Sequence, residues 1–279
     1  MTRGTPKWTH IRPVFALIFL ALAAWGVLSA QKPFREYRGQ EYDDFPLPPD
    51  WNQPFEFTRA RMRYTSIFGL HGMRDGYAQW TVDYPRADRH VLRGLRRLTR
   101  VDARSVEQVV DLADPDEPDD VYNWPNLYSV EPGYWRLTDT QAARMRDYLL
   151  RGGFLMMDDF HGTVEWNNFA ANMRKVFPDR EIVDIDNKDP IFHVIYDLDD
   201  RYQVPGLQYL YSGSKYEYDG FAAKWRAIYD DRGRVMVAIC HNMDLGDAVE
   251  HSDNPVYPEK YAALAYRIEV NYVMYDLTH

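Results

Sequence analysis

The chain has 279 residues, of which 46% are hydrophobic and 15% aromatic, and it carries a formal net charge of −9. This length allows one globular domain of about 220 residues with a short N-terminal extension. An acidic chain lacks the basic face that nucleic acid requires, so we expect no nucleic-acid partner. The single cysteine cannot form an internal disulfide, so the fold must be stable without one.

The N-terminus has the pattern of an export signal. Three basic residues, Arg3, Lys7 and Arg12, precede an uncharged apolar run at 14–28, and small residues follow it. This run of about 15 residues is short, because a membrane-spanning helix needs roughly 20. We therefore predict that residues 1–30 are a cleaved signal peptide, with an uncleaved membrane anchor as the alternative. In either case we expect an exported protein, periplasmic or anchored to the membrane.

The next segment, residues 31–54, is polar and rich in proline, which predicts a linker that lies partly on the domain. We predict that residues 55–279 form a single α/β domain. Its first strand, at 55–64, alternates apolar and polar residues and is therefore expected to be half-buried. A helix that begins near Pro85 carries arginines from Arg89 to Arg100. These arginines predict that one face of the helix is exposed to solvent. The alternative is that this face contacts anionic lipid or a partner.

Strands and helices then alternate along the rest of the chain. Five strands are predicted from short apolar stretches, at 109–112, 126–130, 154–157, 225–229 and 234–240. Three helices are predicted from helical spacing, at 138–150, 165–177 and 257–277. This alternation favours a mostly parallel sheet with helices on both faces, and the last two strands add a late antiparallel hairpin at one side.

The segment 151–162 (RGGFLMMDDFHG) is the most informative part of the chain. Asp158, Asp159 and His161 come directly after the buried strand at 154–157. Ligands of open α/β sheets bind in the crevice outside the carboxyl ends of the strands. Because adjacent strand residues point to opposite sides, at most one of the two aspartates points straight into that crevice.

Two further carboxylates are predicted at the same edge of the sheet. Asp83 lies in the loop after the first strand, and Glu131 follows the strand at 126–130. Together with Asp158, Asp159 and His161 they form our candidate ligand-binding site. The alternative is a set of turn-forming aspartates with a hydrogen-bonded histidine.

Three other residues are weaker candidates. His193 lies in a compact apolar turn, where a packed, hydrogen-bonded histidine is commoner than a ligand. Cys240 is more commonly a small buried hydrophobe than a nucleophile, and His241 faces the other side of the strand, so it is a poor base for the thiol. Although aspartate and histidine can bind metals, no HExxH, paired-cysteine or EF-hand spacing is present, so we predict neither a metal nor a cofactor.

Several short motifs together resemble a known bacterial family. They are WTVDYPRAD at 80–88, LTD at 137–139, YLLRGGF at 148–154, VFP at 176–178 and DPIFH at 189–193. Their order and spacing resemble the family known as domain of unknown function 4159, from about residue 55 to residue 277. The family has no assigned activity.

The resemblance implies a flavodoxin-like three-layer sandwich that is distantly similar to class I glutamine amidotransferases and to trehalose-utilisation-type domains. In the amidotransferases the elbow after the fourth strand carries a nucleophilic cysteine between glycines. The corresponding segment here, 157–162 (MDDFHG), has no cysteine. Amidotransferase activity is therefore not implied.

These observations predict an exported, envelope-associated domain that binds a small polar ligand or an envelope protein at the carboxyl edge of its sheet. One alternative is a hydrolase that uses a carboxylate and a histidine on sugars or amide-linked envelope material. Another is a structural subunit of an envelope complex. The sequence does not decide whether the protein is an enzyme, although the missing elbow cysteine favours a binding role.

Overall fold

The computed structural model describes residues 32–39, 41–68, 73–74 and 77–279. Residues 1–30, for which the sequence predicts a signal peptide or an anchor, lie outside the described residues. None of the helices described is both long and apolar enough to cross a membrane.

Nine strands lie within the described residues. They are β1 (Ala60–Arg63), β2 (Met73–Arg74), β3 (Tyr77–Ala78), β4 (Gln108–Asp111), β5 (Asn126–Val130), β6 (Phe154–Asp158), β7 (Val183–Asp184), β8 (Lys224–Tyr229) and β9 (Val235–His241). Strands β2 and β3 form a separate antiparallel hairpin. The other seven form one sheet in the order β4-β1-β5-β6-β9-β8-β7.

The sheet has the strand order of a flavodoxin-like fold. Strands β4, β1, β5, β6 and β9 are parallel neighbours, and numbered along the chain they read 2-1-3-4-5, which is the flavodoxin-like order. Strand β8 pairs antiparallel with β9, and β7 pairs antiparallel with β8. The predicted mostly parallel sheet with a late antiparallel hairpin at one side is therefore confirmed.

Helices cover both faces of this sheet. Their bounds are α1 (Arg86–Leu98), α2 (Asp139–Leu150), α3 (Gly162–Val176), α4 (Tyr209–Ser212), α5 (Leu245–Glu250) and α6 (Glu259–Thr278). Apolar residues of α1, α5 and α6 form the core on one face. Those of α2 and α3 form the core on the other face. The predicted three-layer α/β sandwich is confirmed.

Local sequence signals fix the connection between α2 and β6. The side chain of Thr138 accepts a hydrogen bond from the backbone N–H of Gln141, and the Gln141 side chain accepts one from Thr138, so a capping box begins α2. The helix is followed by Gly152, whose φ of 110° suits glycine alone. The chain then turns into β6, and Asp158 and Asp159 emerge at the carboxyl edge.

The prediction of a half-buried first strand is wrong. Strand β1 lies inside the sheet between β4 and β5, and helices cover both of its faces. Two arginines are therefore buried as ion pairs: Arg59, just before β1, has its Nη2 3.1 Å from Glu269 Oε1, and Arg61, within β1, has its Nε 2.7 Å from Asp88 Oδ2. Alternation along residues 59–62 thus separates apolar side chains from buried charges.

The predicted exposed arginine face of α1 is wrong at one position. Arg89 is buried, and its Nε lies 3.0 Å from Glu107 Oε2. Its Nη1 donates a hydrogen bond of 2.6 Å to the backbone carbonyl of Phe45, in the proline-rich segment. The other arginines of this cluster, Arg93, Arg96, Arg97 and Arg100, are exposed, as predicted.

Candidate functional site

Four residues in the loops at the carboxyl edge of the sheet have an unusual backbone conformation. Asp83 precedes α1, Glu131 follows β5, Asp159 follows β6 and Asn242 follows β9, and their φ angles are 60°, 46°, 53° and 64°. Non-glycine residues adopt this left-handed region uncommonly, and such residues cluster at functional sites. The four loops meet at one edge because the strands that they follow are parallel.

Asp158 has a structural position at this edge. Its Oδ1 accepts a hydrogen bond of 2.6 Å from the hydroxyl of Tyr128, and its Oδ2 accepts bonds of 2.6 Å and 2.9 Å from the backbone N–H groups of Leu245 and Gly246. The carboxylate is fully buried. It therefore ties β5, β6 and the start of α5 together, while its neighbour Asp159 is the member of the pair that faces the crevice.

Three carboxylates converge at the carboxyl edge, and we name them the acidic cluster: Asp83, Asp159 and Asp244. One oxygen from each lies within 4.8 Å of the others. Burial, followed by repulsion from neighbouring carboxylates, raises the pKa of all three well above the usual range. The Oδ2 atom of Asp83 is buried and has no hydrogen-bond partner among the described residues. This arrangement is suited to a positively charged ligand.

The sequence analysis missed Asp244. This residue follows β9 and caps α5, because its Oδ1 accepts a hydrogen bond of 2.8 Å from the N–H of Asp247. The available signal was a polar residue a few positions after a predicted strand, and it is weaker than the signal that identified Asp159. Glycines make room for these carboxylates: a Cβ on Gly246 would lie 2.2 Å from Asp83 Oδ2, and one on Gly206 would lie 2.3 Å from Asp244 Oδ2.

His161 lies beside the acidic cluster. Its Nε2 is 3.2 Å from Asp159 Oδ1 and 3.9 Å from Glu217 Oε1. Its backbone N–H donates a hydrogen bond of 2.5 Å to Glu165 Oε2, while its Nδ1 is buried with no partner in the described part of the chain. Burial lowers the pKa of His161, which favours the neutral ring that can bind a metal or accept a proton.

Glu217 was not predicted from the sequence. It belongs to the irregular, aromatic segment 206–223, which gives no periodic pattern. Asp219 anchors this segment to the start of α3 by accepting a hydrogen bond of 2.7 Å from the N–H of Thr163. Tyr211 and Tyr218 of the same segment are exposed, at 82% and 68%.

Helix α5 places two further carboxyl groups, Asp247 and Glu250, next to the acidic cluster. Burial, and then a side-chain hydrogen bond with Glu41 and repulsion from Asp247, raise the pKa of Glu250 to about 10. The Nε2 of His251 lies 3.1 Å from Glu250 Oε2 and 3.7 Å from Asp247 Oδ1. An edge lined by carboxyl groups in this way is unfavourable for anions and favourable for cations.

Glu131 reaches this edge through its backbone. Its N–H donates a hydrogen bond of 3.2 Å to the carbonyl of Asp158, and its carbonyl accepts one of 2.9 Å from the hydroxyl of Tyr64. Its carboxylate is not one of the three in the acidic cluster. The structure thus brings Asp83, Asp159 and His161 together and places Glu131 and Asp158 in supporting positions.

The three weaker candidates lie outside this grouping. His193 is hydrogen-bonded in its own loop, 2.9 Å from Asp197 Oδ1 and 2.7 Å from the carbonyl of Asn187. Cys240 is buried on the α6 face, with Sγ 3.9 Å from the hydroxyl of Tyr272.

His241 is on the opposite face from Cys240. Its ring lies 4.9 Å from that of Trp166, and burial lowers its pKa to about 4. Neighbouring residues of β9 therefore face opposite sides, as the sequence predicts, and His241 is not placed to act as a base for the Cys240 thiol.

The fold and this edge define a flavodoxin-like α/β domain with a cluster of buried carboxylates at the carboxyl edge of its sheet. A family model described as domain of unknown function (DUF4159) matches residues 60–277, so the chain belongs to that family. No curated protein matches the chain. The family predicted from the sequence motifs is thereby confirmed, while a relationship to glutamine amidotransferases stays a prediction.

Proposed function

We propose that this protein is an exported, envelope-associated domain that binds a small polar ligand in its carboxyl-edge crevice, and that the ligand is a divalent metal cation. The observation that carries the binding proposal is the convergence of Asp83, Asp159 and Asp244 within 4.8 Å. Export is proposed from the basic and apolar pattern of residues 1–30.

The charge balance of the crevice favours a cation. Within the described residues, neither Asp83 nor Asp244 forms an ion pair with a lysine or an arginine. Arg61 lowers the pKa of Asp83, but burial and three other carboxylates act in the opposite direction. Buried carboxylates are stable when they are paired or coordinate a metal. A bound cation would remove the repulsion that otherwise makes these groups hold protons.

The donor set and its spacing fit a divalent metal. Carboxylate oxygens are the ligands that Mg²⁺, Ca²⁺ and Mn²⁺ prefer. Two oxygens at about 2.1–2.5 Å from one ion are separated by at most about 4–5 Å. The oxygens of the acidic cluster lie within 4.8 Å of one another, inside this limit, so small side-chain movements suffice to bring all three onto one ion. The absence of sequence motifs for metals is compatible with this proposal, because the three ligands come from three distant loops.

Calorimetric titration tests the binding proposal. The purified full-length protein is titrated with Mg²⁺, Ca²⁺ and Mn²⁺, alongside Asp83→Asn. We expect at least one ion to bind, with an affinity about tenfold or more lower in the variant, since one charged ligand is lost. The matched control is Asp116→Asn, which removes an exposed carboxylate from the β4–β5 loop. Equal affinities for wild type and Asp83→Asn would reject the proposal.

A hydrolase is the second candidate, and one observation favours it. Asp159 lies on a strand–turn–helix junction with a φ of 53° and has the Nε2 of His161 at 3.2 Å. Strained turns of this kind carry the nucleophiles of several hydrolases, and a neutral histidine is a suitable base. Turnover of sugar or amide-linked envelope material by the wild type, and its loss in His161→Asn, is the expected result. No turnover of either substrate class would exclude this function.

Export is tested separately by a reporter fusion. Residues 1–54 are fused to a phosphatase that is active only outside the cytoplasm. We expect activity with the natural segment and none when Arg or Asp replaces two apolar residues in 14–28, because the apolar run is what the export machinery recognises. An inactive natural fusion would contradict the proposed localisation.

A further inference from the structure

Asp159 belongs to two groupings of potential metal ligands. In the first grouping its carboxylate lies with those of Asp83 and Asp244, and in the second it lies with His161 and Glu217. Within each grouping the potential ligand atoms lie within 4.8 Å of one another. A carboxylate has two oxygens, so one aspartate can serve both groupings at once.

We propose that Asp159 bridges two divalent cations, one held by Asp83 and Asp244 and the other by His161 and Glu217. This proposal rests on the cation-binding function proposed above and extends it to a dinuclear centre. Two-metal sites place their ions about 3.5–4 Å apart, a separation that a bridging carboxylate can span.

A buried polar atom beside Asp159 supports the first position independently of the acidic charge. The Oδ2 atom of Asp83 has no hydrogen-bond partner among the described residues, and the residue is only 7% exposed. Such groups are costly unless something outside the protein satisfies them. A cation beside Asp83 provides that interaction directly.

The ligands of the second position are held by structure around them. His161 is fixed by its backbone hydrogen bond to Glu165, at the start of α3. Glu217 is carried by the segment 206–223, which Asp219 ties to the N–H of Thr163 at 2.7 Å. Both ligands therefore lie near Asp159 on anchored elements. The Nε2 atom of His161 and the Oε1 atom of Glu217 are 3.9 Å apart.

The two positions differ in the ions that they suit. The first offers carboxylates alone, which favour Mg²⁺, Ca²⁺ and Mn²⁺. The second adds an imidazole, which favours Fe²⁺ or Zn²⁺, while its two carboxylates also suit Mn²⁺. Mn²⁺ is acceptable to both and is paramagnetic, so it is the probe of choice.

Electron paramagnetic resonance with Mn²⁺ tests the dinuclear centre in the full-length protein. The wild type is expected to bind two ions per chain and to show a spin-coupled signal. Glu217→Gln and Asp244→Asn are each expected to bind one ion and to show an isolated signal. Asp159→Asn is expected to weaken binding at both positions about tenfold or more. Asp116→Asn is the control, and circular dichroism establishes that each variant is folded.

The outcomes separate this inference from the function on which it rests. A single ion in the wild type that is insensitive to Glu217→Gln but lost in Asp244→Asn would overturn the dinuclear centre and leave the cation site standing. No bound ion at all would overturn both proposals. Two ions whose signals are uncoupled, with Asp159→Asn affecting only one of them, would remove Asp159 as the bridge.

Discussion

At the scale of single residues, Asp158 and Asp159 show how adjacent aspartates take different tasks. Asp158 is the last residue of β6 and points into the protein, where three donors satisfy it. Asp159 begins the turn, has a left-handed backbone and faces two other carboxylates. Position relative to the strand end, rather than residue type, decides which of them can meet a ligand.

Substitution of Asp158 should lower the stability of the protein, whereas substitution of Asp159 should not. Asp158→Asn places an amide donor against the Tyr128 hydroxyl or the backbone N–H groups of α5, so we expect it to lower the free energy of unfolding by about 1–3 kcal/mol. Asp159→Asn removes one of three repelling carboxylates and should leave stability unchanged or raise it. Urea denaturation in a buffer with a chelator measures both. An equal loss in the two variants would contradict this division of tasks.

Cys240 should be unreactive in the folded protein. It is fully buried, and burial raises the pKa of its thiol, so the reactive thiolate is scarce. We expect Ellman's reagent to modify no thiol in the native protein and one thiol per chain in denaturant, because this is the chain's single cysteine. Modification of the native protein at the rate of a free thiol would show that β9 is accessible, and the nucleophile hypothesis would regain support.

At the scale of elements, the sequence predicts segments well where the apolar pattern or a helix cap is clear. The strands at 126–130 and 154–157 and the helix that Thr138 caps have clear signals, and each has the predicted position. Strand β7, Val183–Asp184, is too short to give a pattern. The environment of β1 was misjudged because alternation alone does not distinguish a solvent-facing side from a side that buries ion pairs.

The candidate site was predictable where its residues follow strands. Asp83, Asp159 and His161 were found because the carboxyl ends of parallel strands meet at one edge. Glu217 could not be found, because its position depends on how the irregular segment 206–223 folds back over α3. Long-range placement of a loop without periodicity is information that a single sequence does not display.

The buried ion pair between Arg59, just before β1, and Glu269 of α6 should contribute strongly to stability. In the wild type, Arg59 Nη2 lies 3.1 Å from Glu269 Oε1. Glu269→Gln leaves the Arg59 guanidinium buried without this charged partner. We expect a loss of about 3–5 kcal/mol in the free energy of unfolding. Urea denaturation of wild type and variant at neutral pH measures the difference.

The control for this substitution is Asp179→Asn, which also removes the carboxylate partner of an arginine. Arg146 and Asp179 lie on the surface, with side-chain exposures of 31% and 54%. Solvent screens such a pair, so its loss should change stability far less. Similar losses in the two variants would mean that the buried pair contributes no more than a surface pair.

At the scale of the whole molecule, the proline-rich segment is packed onto the domain. Tyr42 is buried, and the carbonyl of Tyr37 accepts a hydrogen bond of 3.2 Å from the hydroxyl of Tyr84. The backbone at Gly39 lies so close to the Tyr84 ring that a Cβ there would overlap it. Arg96 Nη1 lies 2.6 Å from Asp50 Oδ2. The segment 32–54 thus covers part of the domain's core, in addition to any role as a linker.

Removal of this segment should therefore destabilise the domain. A chain that begins at residue 55 exposes Tyr84 and leaves the buried Nη1 of Arg89 without the Phe45 carbonyl. An unsatisfied charged donor costs about 1–3 kcal/mol, which corresponds to a fall in Tm of roughly 3–10 °C for a domain of this size. A chain that begins at residue 32 keeps these contacts and should melt like the full-length protein. Equal Tm values for the two shortened chains, measured by circular dichroism, would mean that the segment lies on the domain without stabilising it.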